Sequence, residues 1–490
     1  MMFRAGGDLM CIAAKWRRPV PPGARVLPHR IAQGQGISMS LTEDMILRHA
    51  ARPVPRYTSY PTAPHFHPGI DAATYASWLA ALPDHASLSL YLHVPFCDTL
   101  CWFCGCHTRI TRRYAPIEAY LGALTHELMA VAACAPPGAR VTQLHWGGGS
   151  PTILSPTDIR ALAEVLQHAF SFAPDAEFAV EVDPRGMDET RIRALAAGGL
   201  TRVSIGVQDF DPAVQAAINR HQGVEETRRV VDAFRAAGVP SLNIDAMYGL
   251  PEQHMPQLIA TLQEVVRLDP DRIALFGYAH VPWMKRHQRL IRTERLPGVV
   301  ERHAQAEAAA AFLVAEGFQR IGIDHFAKPS DPLAVAARTG RLRRNFQGYT
   351  VDPADALIGI GASAIGRLPQ GYVQNDPAIG QYQRRVQSGR FATVRGIALS
   401  DDDRMRAEAI ERLMCDLSFS HRALRQRFGA AADHLADQAR AVLVDDHDAL
   451  LVPTDDGFLV SERGRPFLRT IAARLDAYLA PDAVRHSVAV

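Results

Sequence analysis

From residue 88 onward, short runs of apolar and β-branched residues alternate with longer stretches in which apolar positions recur at three- and four-residue steps. The runs LSLYLHV (88–94), TQLHW (142–146), EFAVEV (177–182), RVSIGV (202–207), LNIDAM (242–247) and RIALFGY (272–278) predict six strands, each leading to a polar or glycine-bearing end. Helical spacing fills the intervals. In the first interval Ile117, Tyr120, Leu121, Leu124, Leu128 and Val131 make one apolar face, with Glu118 and Glu127 expected on the water side. Gly198, Gly238 and Gly317 fall where helices should stop. Alternation of this kind is the sequence form of consecutive βα units around a parallel sheet.

Six units are too few to close an eight-stranded barrel, so the pattern predicts an α/β fold, a partial (β/α)6 TIM-like barrel open enough for a large ligand. In parallel barrels, side chains from several loops converge at the carboxyl ends of the strands while a packed interior holds them still. There lie a cysteine loop after the first strand, Gly147 to Gly149 after the second, Glu181 closing the third, Gln208 after the fourth, Asp245 in the fifth, and Ala279 and His280 after the sixth. That coincidence outweighs any single motif. Toward the C-terminus, helical patterns precede a hairpin-like LLVPTDDGFLVSERG and a last helix, which predicts a smaller, mainly helical, winged-helix-like domain. Its Arg422, Arg425 and Arg427 suit either DNA or a solvated helix face, and the small extent of the basic patch favours the second.

Composition narrows the class. With 490 residues and 48% hydrophobic content the chain can bury a large core, and 53 Lys and Arg against 51 Asp and Glu give no bias toward nucleic acid or a membrane surface. No apolar run reaches the length of a membrane span. The first 38 residues stand apart, with Arg4, Lys15, Arg17, Arg18, Arg25 and Arg30 against Asp8 alone and little periodicity.

Four of the seven cysteines, Cys97, Cys101, Cys104 and Cys106, crowd into HVPFCDTLCWFCGCHTR. Structural zinc takes two ligand pairs set well apart in sequence, and here the second pair is missing, since Cys11, Cys134 and Cys415 are scattered. The C-x3-C-x2-C run reads instead as three thiolates on one loop, holding three irons of a cubane and leaving the fourth open to a ligand. A zinc loop and incidental buried thiols are the alternatives. Free thiols concentrated in one loop also point to a reducing, cytoplasmic setting.

HWGGGSPT (145–152) puts three glycines directly after a strand, where missing side chains let a ligand approach the backbone, and it lacks the Lys of a phosphate-binding P-loop. Glu181 and Asp245 are carboxylates at strand ends, suited to ribose hydroxyls or an ammonium group; salt bridges to Arg185 or Arg202 are the structural alternative. The segments PRYTSYPTAPHF (55–66), YAHVPWMKRHQR (278–289), GIDHFAKP (322–329) and RRNFQGYT (343–350) mix aromatics with Arg, Lys and His, a composition that suits a flat apolar ring bearing carboxylates.

The cysteine loop resembles that of the radical S-adenosylmethionine (SAM) enzymes. From about Arg52 to the C-terminus the chain resembles a narrower family, the oxygen-independent coproporphyrinogen III oxidases (dehydrogenases), through PRYTSYPTA, HVPFC, CWFCGC, LHWGGGSPT, EVDPR, GVQDF, NIDAMYGLP, YAHVPW, DHFA and NFQGYT in order. The resemblance implies a barrel of the radical SAM type carrying one [4Fe-4S] cluster on Cys97, Cys101 and Cys104. It implies SAM contacts from Tyr91, Gly148, Glu181 and Ile365 at the unique iron. A second SAM would be held by Phe103, Gly149, Ser150, Gln208, Arg220, Asp245 and Ala279. Ser150 stands where Thr is frequent in the family, and Cys106 matches a fourth cysteine that is not a ligand.

The implied reaction turns two propionate side chains of coproporphyrinogen III into vinyl groups through a 5′-deoxyadenosyl radical, with an unidentified electron donor and acceptor. Arg56, Tyr57 and Tyr60 are expected to enclose or place the tetrapyrrole. The expected organisation is 1–38 as a disordered extension or misassigned start, 39–87 as a substrate-covering segment, 88–395 as the radical SAM barrel and 396–490 as the C-terminal domain. A cytoplasmic monomer without nucleic-acid or membrane partners is expected. The competing reading is a haem chaperone that shares the cluster loop and barrel but not the catalysis; Cys106 and residues 55–63 favour the enzyme.

Overall fold

A computed structural model describes residues 41–479 and Ser487, so the expectations for residues 1–38 lie outside the described residues. The six expected strands form as Ser87–Val94 (β1), Arg140–Gly148 (β2), Phe172–Val182 (β3), Arg202–Gln208 (β4), Ser241–Tyr248 (β5) and Arg272–Gly277 (β6), parallel and side by side in chain order. The α/β reading therefore holds. Around these strands the sheet is wider than expected. Ala356–Ile360 joins β1 in parallel and continues into antiparallel Ile365–Leu368, Gly371–Asn375 and Thr393–Ala398. At the other edge His325–Ala327 and Gln319–Ile321 extend β6 in antiparallel fashion. Strands of three to six residues carry too few alternations for periodicity to reveal them.

Alternation along the strands sorts side chains onto two faces. Leu88, Leu90 and Leu92 of β1, Val203, Ile205 and Val207 of β4, and Leu242 and Ile244 of β5 are buried in one continuous core with the flanking helices. The other face differs from the expected packed interior. Ser89, Gln143, Glu181, Ser204, Asp245 and Arg272, one or more from each of the six strands, surround a single cavity of about 150 Å³. One cavity lined by every strand requires the sheet to curl around it. The physical reason for the hollow is the inward sequence itself: Arg202 is paired with Glu177 at 2.5 Å and Arg272 with Asp331 at 2.8 Å, and charged pairs of this kind replace the branched aliphatics that would fill a barrel.

The helix Ala115–Cys134 packs Ile117, Tyr120, Leu124, Leu128 and Val131 inward as expected, with Glu118 exposed. Glu127 is a correction. It is 1% exposed, because the helix Ile379–Gln387 and the loop around Gly361 cover the side that a lone helix would leave in water. The helices Glu189–Ala197, Val224–Ala236 and Val299–Ala315 end where Gly198, Gly238 and Gly317 stand, the last two with φ of +83° and +91°.

A second core joins the two ends of the described chain. Met45, Ile46, Tyr57 and Tyr60 pack with Met405, Leu413, Phe419, Phe458 and Phe467. The C-terminal part sets the helices Asp401–Asp416, His421–Phe428 and Asp433–Val444 beside an antiparallel sheet of Ser418–Ser420, Gly457–Val460 and Leu451–Thr454. Arg427 is tied to Glu408, and Arg425 lies 3.7 Å from Asp433. Among the described residues no helix is long and apolar enough to cross a membrane.

Candidate functional site

Past β1 the chain enters the cysteine loop, whose base is closed by a short parallel pairing of Phe96–Cys97 with Arg109–Ile110. Each of the three expected ligands receives a hydrogen bond at sulfur. Thr108 Oγ1 donates to Cys97 Sγ at 3.3 Å, Arg185 Nη2 and Arg220 Nη1 donate to Cys101 Sγ at 3.5 Å, and the Cys106 amide donates to Cys104 Sγ at 3.4 Å. Contacts of this kind favour the thiolate form. Contact with Cys106 brings Cys104 down to about 7, whereas burial pushes the Cys97 thiol up to about 12, so Cys97 ionises readily only beside a positive charge such as a metal. Among the described residues no three His, Cys, Asp or Glu side chains converge as a single metal ion needs. The donor set, three sulfurs on one loop with cationic and hydroxyl donors behind them, suits an iron-sulfur cluster.

Neighbouring segments grip the loop by its backbone. Gln288 Nε2 donates to Phe103 O at 2.9 Å and to Ala279 O at 3.1 Å, His287 Nε2 to Cys104 O at 2.7 Å, Lys285 Nζ to Cys106 O at 2.9 Å and Asn219 Nδ2 to Leu100 O at 2.7 Å. One glutamine thus ties together two of the expected SAM residues, Phe103 and Ala279.

At the end of β2 the glycine run is required by close approach. A Cβ on Gly147 would lie 2.7 Å from Glu181 Oε1, one on Gly148 2.8 Å from the His93 ring, and one on Gly149 2.5 Å from Phe96 O. Gly148 also has a φ of +118°. These glycines let Glu181 reach the turn, where its carboxylate accepts from Gly148 N at 3.1 Å and from His145 Nε2 at 3.2 Å. Burial alone would raise the Glu181 pKa, but the hydrogen bond and charge of His145 and the Gly148 amide outweigh it and hold the carboxyl below its usual range. Tyr91 stacks on His145 with centroids 5.8 Å apart. It pairs in register with Gly359, where a Cβ would lie 2.5 Å from Ile365 O. Tyr91, Gly148, Glu181 and Ile365 therefore border one region.

The second expected set lies farther round the strand ends. Gln208 closes β4 with a φ of +69°, next to a register shift against β5. Arg220 is 6% exposed and donates to Gly206 O at 2.6 Å and to the Asp183 carboxylate at 3.2 and 3.3 Å. Asp245 accepts from Ser204 Oγ at 3.0 Å and Asn243 Nδ2 at 2.7 Å, and burial raises it to about 6. Ser150 Oγ sits 3.0 Å from Thr152 Oγ1, while its amide donates to Phe96 O at 2.8 Å. Neither Arg185 nor Arg202 satisfies Glu181 or Asp245. Arg185 pairs with Asp183 at 2.6 Å and Arg202 with Glu177, so both acids remain turned to the barrel cavity.

Of the N-terminal trio only Arg56 reaches the strand ends, donating to Gly277 O at 3.0 Å. Tyr57 donates to Asp476 Oδ2 at 2.9 Å and Tyr60 accepts from Ala477 N at 3.0 Å, so both phenols are committed to the C-terminal segment. Sequence reasoning passed over His93, His145, Asp183 and Gln288, and took Arg185 only as a possible salt-bridge partner of Glu181 or Asp245. The motif EVDPR holds Asp183 and Arg185 just past a strand end, which was the signal for them; Gln288 lies in YAHVPWMKRHQR, a segment marked only for its aromatic and basic composition, which does not point to a glutamine.

Comparison with known proteins agrees with this geometry. The radical SAM superfamily description matches residues 91–265, and the HemN C-terminal domain matches residues 399–467. A protein named oxygen-independent coproporphyrinogen III oxidase from Paracoccus denitrificans is 48% identical over 426 residues, 87% of this chain and 94% of its own length. One of the same name from Bradyrhizobium diazoefficiens is 46% identical over 91% of this chain and 99% of its own. The solved structure of coproporphyrinogen III oxidase (HemN) from Escherichia coli, described as a radical SAM enzyme, aligns with a TM-score of 0.83 at 38% identity, covering 87% of this chain and all of that one.

Proposed function

This chain belongs to the oxygen-independent coproporphyrinogen III oxidases of the radical SAM superfamily, and on that footing we propose that it decarboxylates two propionate side chains of coproporphyrinogen III to vinyl groups, giving protoporphyrinogen IX for haem. Each conversion releases carbon dioxide, one hydrogen atom from the β-carbon and one electron. Membership implies one [4Fe-4S] cluster and SAM, which when bound supply the carbon radical that removes the hydrogen atom without dioxygen.

The residues of the chain do the holding and aiming. Cys97, Cys101 and Cys104 would bind the cluster, with Arg185 and Arg220 offsetting negative charge at Cys101. Tyr91, Gly148, Glu181 and Ile365 would hold the SAM at the cluster, Glu181 as an ionised acceptor for its ammonium or ribose. Phe103, Gly149, Ser150, Gln208, Arg220, Asp245 and Ala279 would hold a second SAM, matching two decarboxylations per substrate. Arg56 would meet the tetrapyrrole, and Tyr57 and Tyr60 would fix the segment 39–87 that carries it. We place the protein in the cytoplasm as a monomer served by a separate electron donor and acceptor.

The observation that carries this reading is the join of two constellations at one end of the sheet: three sulfurs with cationic donors after β1, and an ionised Glu181 at the glycine turn after β2. Relatives at 46 to 48% identity side with the oxidase over a haem chaperone. The test is anaerobic reconstitution with iron and sulfide, then SAM, reductant and coproporphyrinogen III, with products separated by chromatography. Protoporphyrinogen IX and 5′-deoxyadenosine are expected. Stable haem capture with no vinyl product would select the chaperone.

A further inference from the structure

Beside the ends of β5 and β6 lies a second, smaller cavity of about 60 Å³. Among the arginines that face it are Arg56, Arg302, Arg320 and Arg344, against two acids, Asp324 and Glu307. Glu307 pairs with Arg320 Nη2 at 3.0 Å, and Asp324, which accepts from His325 Nδ1 at 2.7 Å, also shares its charge with Arg344 and Arg56, so the two acids offset only part of the arginine charge. The cavity wall is therefore strongly cationic in a buried setting, which is costly unless an anion completes it.

The donors show where that anion belongs. Arg302 is 7% exposed; its Nη2 donates to Tyr278 O at 2.7 Å, yet its Nε is buried with no hydrogen-bond partner among the described residues. Arg320 Nε and both Nε and Nη1 of Arg344 are in the same condition. Arg344 is held rigidly, its guanidinium 4.4 Å above the Tyr349 ring and its Nη2 donating to Arg56 O at 3.3 Å. The backbone is cut away to seat Arg302. A Cβ on Gly249 would come within 3.2 Å of its Nε, and one on Gly277 within 2.8 Å of Tyr248 Oη and 3.4 Å of Arg302 Nη2. Burial holds Arg56 and Arg302 below the usual arginine range, a penalty that a bound anion relieves.

We propose that this cavity is a carboxylate site in which Arg302 and Arg344, with Arg56 and Arg320 behind them, grip a propionate of the tetrapyrrole that does not react. The volume admits a carboxylate head or a few waters but not a pyrrole ring. Gly277 lies two residues before Ala279, and Tyr248 three after Asp245, so the site adjoins the expected chemistry without overlapping it. Anchoring one propionate there turns another toward the strand ends. The proposal rests on the function given above; the same carboxylate chemistry could instead come from the methionine moiety of SAM.

The test measures equilibrium binding of coproporphyrin III, its tetramethyl ester and SAM to the anaerobically reconstituted full chain. Wild-type protein should bind the free acid about 10- to 100-fold more tightly than the ester, the worth of one charge-assisted hydrogen-bonded pair. Arg302→Met and Arg344→Met should each weaken the acid by a similar factor and shrink its advantage over the ester, with SAM affinity unchanged; Arg302→Lys should recover part of the loss. Equal binding of acid and ester by an active wild-type enzyme overturns this site alone, and so does loss of SAM affinity in place of porphyrin affinity. Wild-type protein that forms no product overturns the functional reading instead. If Arg302→Met fails to fold, Arg344→Met and the wild-type ester comparison decide.

Discussion

Glu127 and Glu181 are both acids set against the same sheet, one outside it beneath a helix and one inside it at the cavity, and their surroundings differ in kind. Glu127 accepts from Gly361 N at 2.7 Å, Tyr382 Oη at 2.7 Å and Asn375 Nδ2 at 2.6 Å, all neutral donors, and burial still raises it to about 6. Glu181 has an imidazole and one amide, its side chain is 39% exposed to the cavity, and its pKa is depressed. Three neutral donors close the first acid off from any ligand. The second keeps its charge and leaves acceptor capacity unused. Full satisfaction marks a structural tie, and a charged, half-satisfied carboxylate in a cavity marks a place for something else.

The largest test of the functional side removes the cluster. Cys101→Ala should abolish iron-sulfur content and product formation, while Cys106→Ser, changing the exposed fourth cysteine, should keep both; equal loss in the two variants would break the assignment of ligands. On the structural side, Glu127→Ala leaves three buried donors facing a void, with an expected cost of about 3–5 kcal/mol in denaturant unfolding. SAM affinity of the folded fraction should not change. Glu181→Gln should do the reverse. It keeps an acceptor for Gly148 but loses the charge, so SAM binding should weaken by about 2–3 kcal/mol, roughly 30- to 150-fold, with the unfolding midpoint little moved. A destabilised Glu181→Gln protein with intact SAM binding would erase the distinction between the two acids.

The contrast also explains what the sequence made legible. The six parallel strands were readable because each is long enough to show alternation and ends in a glycine or a polar residue, and the residues they deliver to one end, from Gly147 to Ala279, could be picked out for that reason, whereas Tyr91, Phe103, Arg220 and Ile365 came from the family resemblance alone. Glu127 was misread because a helical wheel knows only its own helix. Its partners Gly361, Asn375 and Tyr382 lie 234 to 255 positions away, the first two at the ends of short strands that periodicity does not detect and the third on the helix Ile379–Gln387. The arginine-lined cavity was half legible: Arg56 and Arg344 lie in segments whose aromatic and basic composition suits a carboxylate-bearing ring, but Arg302 lies outside them, and only the fold places the three against one another. Asp183 and Arg185 were within reach, since two opposite charges directly after a strand rarely lie idle, but their contact with Cys101 depends on the loop geometry.

The subtlest expectation is one of sign. A carboxyl whose folded pKa is raised holds its proton more tightly in the folded protein, so its contribution is fully present below the unfolded value and is lost as pH rises through the folded one. For Glu127 that window runs from 4.5 to about 6, and the loss amounts to about 2 kcal/mol. Glu181 is depressed, so its contribution is present above the usual carboxylate range and is lost as pH falls through the folded value. Measured as the difference in unfolding free energy between the wild type and each glutamine variant, the Glu127 difference should fall between pH 4 and pH 7, and the Glu181 difference should rise with pH up to the usual carboxylate range and then level off. Subtracting the variant cancels the groups that do not feel the substituted acid; Asp245, which burial and the Glu181 charge raise together, does not cancel, so the Glu181 pair is compared in an Asp245→Asn background, where the slope carries the answer. Glu127→Gln also sets its own amide against Asn375 Nδ2 at the position now 2.6 Å from Oε1, which shifts the whole difference by about 1 kcal/mol without tilting it. Two slopes of the same sign would mean that both acids do the same job, and the division between a sealed tie and an open, charged acceptor would not stand.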